Sequence, residues 1–259
     1  MHRRQNGRLA PEPSSLPLTL RIGHIRWSAT WFMTVLTVAA VAAFINLGRW
    51  QWHRAAEARS LDASFVAGGS ALVDLQYASM RTLPRYTRVR VRGRYDGAHQ
   101  FLLDNMSEHE EPGYQVLTPL VLPDGRELLV NRGWVPITDS RRHLPDVSVG
   151  TAPVQTVVGR LDNLPVPGIQ LGHAAPAPGT TWPKLTSFPT MADLSAALGH
   201  PLAPRQLLLD AQQPLGYVRD WQPPGMSPAR HLSYAFQWWA FAATALVLYV
   251  LLNRQKISS

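Results

Sequence analysis

One histidine sits where a polar loop turns into a long uncharged run, in Pro228-Ala-Arg-His231-Leu-Ser-Tyr234-Ala-Phe-Gln237-Trp238-Trp239. An imidazole at such a boundary has two uses. Neutral and held in one orientation, it ligates a metal ion or a haem iron. Flanked by indoles, it anchors a helix at a lipid–water boundary, as aromatic belts do. On a helix, His231, Tyr234, Ala235 and Trp238 share one face. The small Ala235 leaves room there for a flat macrocycle, and Trp238 is placed to stack on it.

A second group lies in Leu47-Gly-Arg-Trp50-Gln51-Trp-His-Arg54. Continued as helix, Leu47, Trp50 and Arg54 lie on one face. Guanidinium groups at Arg49 and Arg54 suit carboxylates, and His53 is a second candidate axial ligand. Interfacial anchoring by Arg and Trp is again the alternative. Other constellations are weaker. Glu108, His109, Glu110 and Glu111 beside Pro112-Gly113 read as a solvated hairpin tip. His99, His143, His173 and His200 are scattered, without H-x-x-x-H or H-E-x-x-H spacing. Asp139, Ser140 and His143 are adjacent in a loop, which is poor evidence for a triad. No nucleophile elbow, P-loop or dinucleotide fingerprint occurs, so nothing here argues for an enzyme.

These groups need elements to hold them. The run Tyr234–Leu252 has 19 residues without charge, and at about 1.5 Å per residue it nearly crosses a hydrocarbon core of about 30 Å. A second uncharged run, Trp27–Leu47, has 21 residues. Its basic start and Ala40-Val-Ala42 also resemble a signal peptide with a cleavage site. The run is longer than a usual apolar region of that kind and continues without a break, which favours an uncleaved anchor. The net charge is +8, and residues 1–26 contribute five arginines against one acid. Arg254 and Lys256 follow the second run. Basic tails flanking apolar runs follow the positive-inside pattern and do not make a nucleic-acid-binding face. The absence of cysteine removes disulfides and thiolate metal sites. The expected organisation is a disordered cytoplasmic tail at 1–26, a transmembrane helix at 27–48 and a periplasmic domain at 49–233. A second transmembrane helix follows at 234–252, with a cytoplasmic tail at 253–259.

Within the middle domain, Arg49 to about Met80 reads as helical, interrupted at Gly68-Gly69. From Tyr86 to Tyr95 basic and apolar residues alternate, giving a strand with one buried face. Asp96-Gly97 and Asp124-Gly125 read as hairpin turns. Further strands are expected at 100–103, 114–122, 127–131, 154–161 and 206–209. Residues 163–183 read as loop. Met191–Leu198 reads as a helix capped by Thr190 and closed by Gly199. The fold class is therefore an α+β membrane protein, two transmembrane helices bracketing an antiparallel-sheet-rich periplasmic domain with a few helices.

Three motifs carry a resemblance. They are Leu47-Gly-Arg-Trp50-Gln51-Trp-His-Arg54, Val130-Asn-Arg-Gly133-Trp134-Val-Pro136 and His231-Leu-Ser-Tyr234-Ala-Phe-Gln237-Trp238. In order and spacing they resemble the surfeit locus protein 1 family of cytochrome c oxidase assembly factors, over roughly residues 30–252. The resemblance implies a chaperone-like, non-enzymatic role in the inner (plasma) membrane of a bacterium, assisting haem a insertion into the oxidase catalytic subunit. It implies His231 as the axial ligand of the haem iron. Trp50, Gln51, Arg54, Gly133, Trp134, Tyr234, Gln237 and Trp238 become signature positions of structural or haem-pocket type, with Trp134 either over the haem edge or capping the sheet. The implied partners are the catalytic subunit, haem a biosynthesis enzymes and the lipid bilayer. The alternative is a non-haem scaffold that stabilises an oxidase subunit by contact.

Overall fold

The computed structural model describes residues 18–22, 25–76, 80–108, 110–137, 143–150, 153–166 and 175–256. His109, Asp139, Ser140 and His173 lie outside these, as do residues 1–17 and 257–259. The chain forms two compact units, Met1–Ser60 with Gly225–Ser259, and Leu61–Pro224.

The first unit holds most of helix α1 (Trp31–Gly68) and all of helix α3 (Pro228–Asn253). Both are long and apolar enough to cross a membrane. α1 continues past residue 48 to Gly68, as the helical reading from Arg49 expects, because Gln51–Ser60 supplies strong helix formers and no breaker. Its start is later than expected. Trp27 belongs to strand β2 (Ile25–Ala29), which pairs antiparallel with β1 (Leu18–Ile22) and with β11 (Arg254–Lys256). Residues 18–22 and 25–26 are therefore strand rather than disordered tail. The period-two alternation of Leu18, Leu20 and Ile22 with Thr19 and Arg21 accounts for this. Helix α3 begins at Pro228 because Ser227 caps it, its side chain accepting from the Arg230 amide, with proline at the first helical position.

The second unit is a barrel-like sheet. Its strands are β3 (Leu72–Asp74), β4 (Arg88–Tyr95), β5 (Phe101–Glu108), β6 (Glu111–Val121), β7 (Glu127–Pro136), β8 (Gln155–Asp162), β9 (Lys184–Thr186) and β10 (Leu202–Leu209). The order is β3-β4-β8-β10-β7-β6-β5-β9, and β4 also pairs with β6. That last pairing closes β4, β8, β10, β7 and β6 into a ring. Most pairs are antiparallel, but β10 with β7, β3 with β4, and β5 with β9 are parallel. The corner where β4 meets β6 requires Gly93, since a Cβ there would meet the Val121 carbonyl at 2.8 Å. Every ring strand sends apolar side chains inward, among them Val89, Val91, Leu120, Val130, Val157 and Leu207. Helix α2 (Met191–Leu198) packs Leu194 against Phe101, Leu117 and Leu129 on the outer face. Thr190 caps it and Gly199 closes it as expected, the first in a capping box with Asp193 and the second left-handed.

Two local expectations differ. Leu72, Val73 and Asp74 form a strand, not helix, because α1 ends at Gly68-Gly69. There a Cβ on Gly68 would meet the Tyr86 carbonyl, and the Arg160 guanidinium donates to Phe65 O while lying 4.1 Å over its ring. A cation at a helix C-terminus opposes the negative end of the dipole. Asp96-Gly97 turns the chain without making a hairpin, since β4 does not pair with β5. Asp96 instead accepts from the Ala98 amide and contacts His99 at 2.6 Å, a local turn. Asp124-Gly125 does join a true hairpin, β6 to β7.

Arg132 is the least expected core residue, only 2 % exposed in the middle of β7. Among the described residues no carboxylate lies within ion-pair distance. Its guanidinium donates to Gln100 Oε1 at 2.9 Å, Val147 O at 2.8 Å and Leu215 O at 2.7 Å, and lies 4.9 Å over the Tyr217 ring. Burial pushes its pKa down. Two distant loops are thus tied to one strand through a single cation. Replacing Arg132 by Leu leaves those acceptors unmatched and should cost about 3 kcal/mol or more in urea unfolding of the full chain. An unchanged midpoint would contradict the tie.

Glu127 behaves oppositely. Burial pushes its carboxyl pKa up, and His200, 3.6 Å away, only partly counters this. The folded state therefore holds this proton more tightly than the unfolded chain does. Ionised Glu127 costs stability above its folded pKa, and the cost falls away as pH drops towards the ordinary carboxylate range of about 4.3. Glu127→Gln should melt at higher temperature than the parent at pH 7.5, with the gap closing near pH 4. A gap that widens on acidification would reverse the sign.

Candidate functional site

The site lies in the first unit, where α1 and α3 face each other. The covered positions on α1 include Thr34, Thr37, Val41, Phe44, Gly48, Gln51, Ala55 and Ala58. Those on α3 include His231, Ala235, Trp238, Ala242, Ala245 and Tyr249. Both sets repeat every seven residues in steps of three and four, which keeps one face of each helix on its partner. The most buried members, Gly48, Ala55, Ala235 and Ala242, are all small. Small residues let two backbones approach where apolar surroundings provide no drive for association.

Larger groups fill the seam beside them. Phe44 stacks on Trp238 at 5.8 Å and 23°, and also meets Phe241. Trp52 contacts Trp239 at 5.9 Å. The Trp239 indole lies over Gly48, where a Cβ would come within 2.2 Å of its Nε1.

Two polar contacts close the seam at its ends. Thr34 Oγ1 and Tyr249 OH share a hydrogen bond of 2.6 Å. At the other end His231 Nδ1 lies 2.7 Å from Gln51 Oε1. An amide oxygen only accepts, so in the neutral ring this contact calls for the proton on Nδ1 and the lone pair on Nε2. Among the described residues Nε2 has no hydrogen-bond partner. His231 stands in the first turn of α3, its own amide bonded to Ser227 O at 3.2 Å. The local cap thus fixes the backbone and Gln51 fixes the ring.

The other motif residues are placed as follows. Trp50 is 54 % exposed and Tyr234 41 % exposed, and Gln237 is also exposed, so these three lie off the seam. Arg54 shares the exposed face with Leu47 and Trp50 and pairs with Glu57 at 2.5 Å. Arg49 and Arg230 are exposed, without an ion-pair partner among the described residues. Ala235 is fully buried in the seam, so no open space adjoins it. His53 faces outward. Trp134 belongs to the sheet unit, where its Nε1 donates to Met106 O at 3.2 Å and its ring lies over Gly113. Gly133 has a φ of 108°, and a Cβ there would meet Val218 O at 2.4 Å. The Gly-Trp pair thus receives a crossing segment through the Trp134–Val218 bridge. No group of three metal-ligating side chains converges among the described residues.

Sequence reasoning missed Gly48, Phe44 and Trp239 as parts of the site. For Gly48 the signal was the seven-residue spacing of small residues on both helices.

The seam makes a testable demand on Gly48. A Leu there must displace the Trp239 indole and part the helices. The chain has no cysteine, so Thr34→Cys with Tyr249→Cys provides a clean crosslinking pair. A short bis-maleimide should link the two efficiently in the parent background and several-fold less in Gly48→Leu. Equal crosslinking would show that the seam does not depend on the glycine.

No curated protein matches the chain. The SURF1 family profile matches residues 38–243, from within α1 to the middle of α3. That span takes in all three motifs, the buried glycine and the Gln51–His231 pair, and by it the chain belongs to the SURF1 family.

Proposed function

We propose that this protein receives haem a and passes it to the catalytic subunit of cytochrome c oxidase, with His231 as the axial ligand while it is held. The family is associated with cytochrome oxidase assembly, and its members are assembly factors. The observation that carries the haem reading is the Gln51–His231 hydrogen bond. Metal-bound histidines almost always donate their second N–H to an oxygen acceptor, which fixes tautomer and ring orientation. Here that arrangement exists with Nε2 left over, so the residues fit a haem iron needing one protein donor.

In this reading α1 and α3 span the inner membrane, both termini are cytoplasmic and the sheet unit is periplasmic. Support comes from the outer faces of the helices. Phe32, Val35, Leu36, Val247 and Val250 are all exposed, a surface suited to lipid rather than water. His231 and Gln51 lie near the ends of the two apolar stretches, at the level where haem propionates would meet water. Arg49 and Arg230 supply guanidinium groups there. Arg54 joins them readily, because an exposed pair such as Arg54–Glu57 is worth less than about 1 kcal/mol. Haem a brings an apolar tail and two carboxylates, so a carrier needs lipid-facing surface beside interfacial cations. Handover calls for modest affinity, which His231 as the single protein ligand would provide. Enzymes that make haem a are the expected donors.

The test is the absorption spectrum of the full chain purified from cells that make haem a. The parent should carry a Soret band, and His231→Ala should lose most of it while Tyr234→Phe keeps it. A band unchanged in His231→Ala would remove the ligand assignment. A co-purified oxidase subunit with no haem in the parent would favour the scaffold reading.

A further inference from the structure

We infer that Gln51 is a positioning residue for the iron ligand, selecting the protonation site of His231 and setting how strongly its free nitrogen donates. The inference rests on the haem reading for its consequences at iron, but its first part concerns the protein alone. The resemblance made Gln51 a signature position of structural or haem-pocket type. The structure places its amide oxygen against Nδ1 of His231.

An unassisted histidine side chain favours the proton on Nε2, the nitrogen that must stay free here. The Gln51 amide oxygen, 2.7 Å from Nδ1, reverses that preference because it can only accept. Low-dielectric surroundings strengthen the bond and make an unmatched ring N–H costly. Gln51 occupies a seam position, with covered Gly48 and Ala55 on the same helix face. Its side chain therefore reaches the partner helix, whereas Trp50 is directed outward. A hydrogen bond from Nδ1 also pushes electron density towards Nε2 and raises ligand basicity. The stronger the acceptor, the more the oxidised iron is favoured and the lower the reduction potential of the bound haem.

Two measurements on the full chain in detergent test this, with separate failure modes. The first uses 15N-histidine NMR of the haem-free protein, with His231 identified by its loss in His231→Ala. The parent should show protonated Nδ1 and unprotonated Nε2, and Gln51→Leu should move the proton to Nε2. A parent already protonated on Nε2 would overturn the proposal whatever becomes of the haem reading.

The second is redox titration of haem a bound to the parent, Gln51→Leu and Gln51→Glu. Gln51→Leu should bind about 10–100-fold more weakly and show a higher potential. Gln51→Glu, which keeps an acceptor oxygen, should restore binding and lower the potential below the parent's. A general packing defect would weaken both variants without ordering their potentials around the parent. Equal potentials in all three proteins would show that Gln51 does not act through the ligand. A parent that binds no haem fails the functional reading but leaves the tautomer result standing.

Discussion

Polar side chains between two apolar helices need partners, because neither lipid nor packed hydrocarbon offers any. In this protein that need is met by one hydrogen bond at each end of the helix seam. The Thr34–Tyr249 bond joins two hydroxyls and has no evident chemistry beyond pairing. The Gln51–His231 bond does two things together. It joins α1 to α3, and it orients the imidazole ring. The small residues between the two bonds allow it. A larger side chain at Gly48 or Ala235 would hold the backbones apart and leave Gln51 short of the ring. Packing and the orientation of the imidazole are therefore one constraint at this site.

The sheet unit is built on a different principle. Its ring of five strands closes around an apolar interior, and a buried cation organises its outer loops. Arg132 has no carboxylate to neutralise it among the described residues and relies on carbonyl oxygens, an amide oxygen and an aromatic face. Such a cation is costly to bury and costlier to leave half-matched, so its acceptors are specified narrowly. The adjacent Gly133 and Trp134 continue the same task, one admitting the crossing segment at residue 218 and the other covering Gly113. The N-R-G-W motif is thereby explained by architecture, through contacts made wholly inside the sheet unit.

What could be read from the sequence was local. The alternation in Arg88–Tyr95, the Asp124-Gly125 hairpin and both caps of α2 depend on neighbours a few residues away, and each is found. Strand order was not legible, because the β10–β7 and β4–β6 pairings join segments far apart in sequence. The start of α1 was misplaced because the uncharged run from Trp27 was read as helix, where Ile25–Ala29 is strand. The two halves of the site were each visible as motif residues, but their pairing was not. A helix apolar all round offers no contrast to mark its packed face. Only the repeat of Gly48 with Ala55 and of Ala235 with Ala242 carried that information.

The central claim is that Gln51 and His231 together present one free imidazole nitrogen to iron. Resonance Raman spectroscopy of the reduced, haem-loaded protein reads that bond directly. The account predicts an iron–imidazole stretching band in the parent, absent in His231→Ala and shifted to lower frequency in Gln51→Leu, where the ring loses its acceptor. A band that persists unchanged in His231→Ala would contradict it.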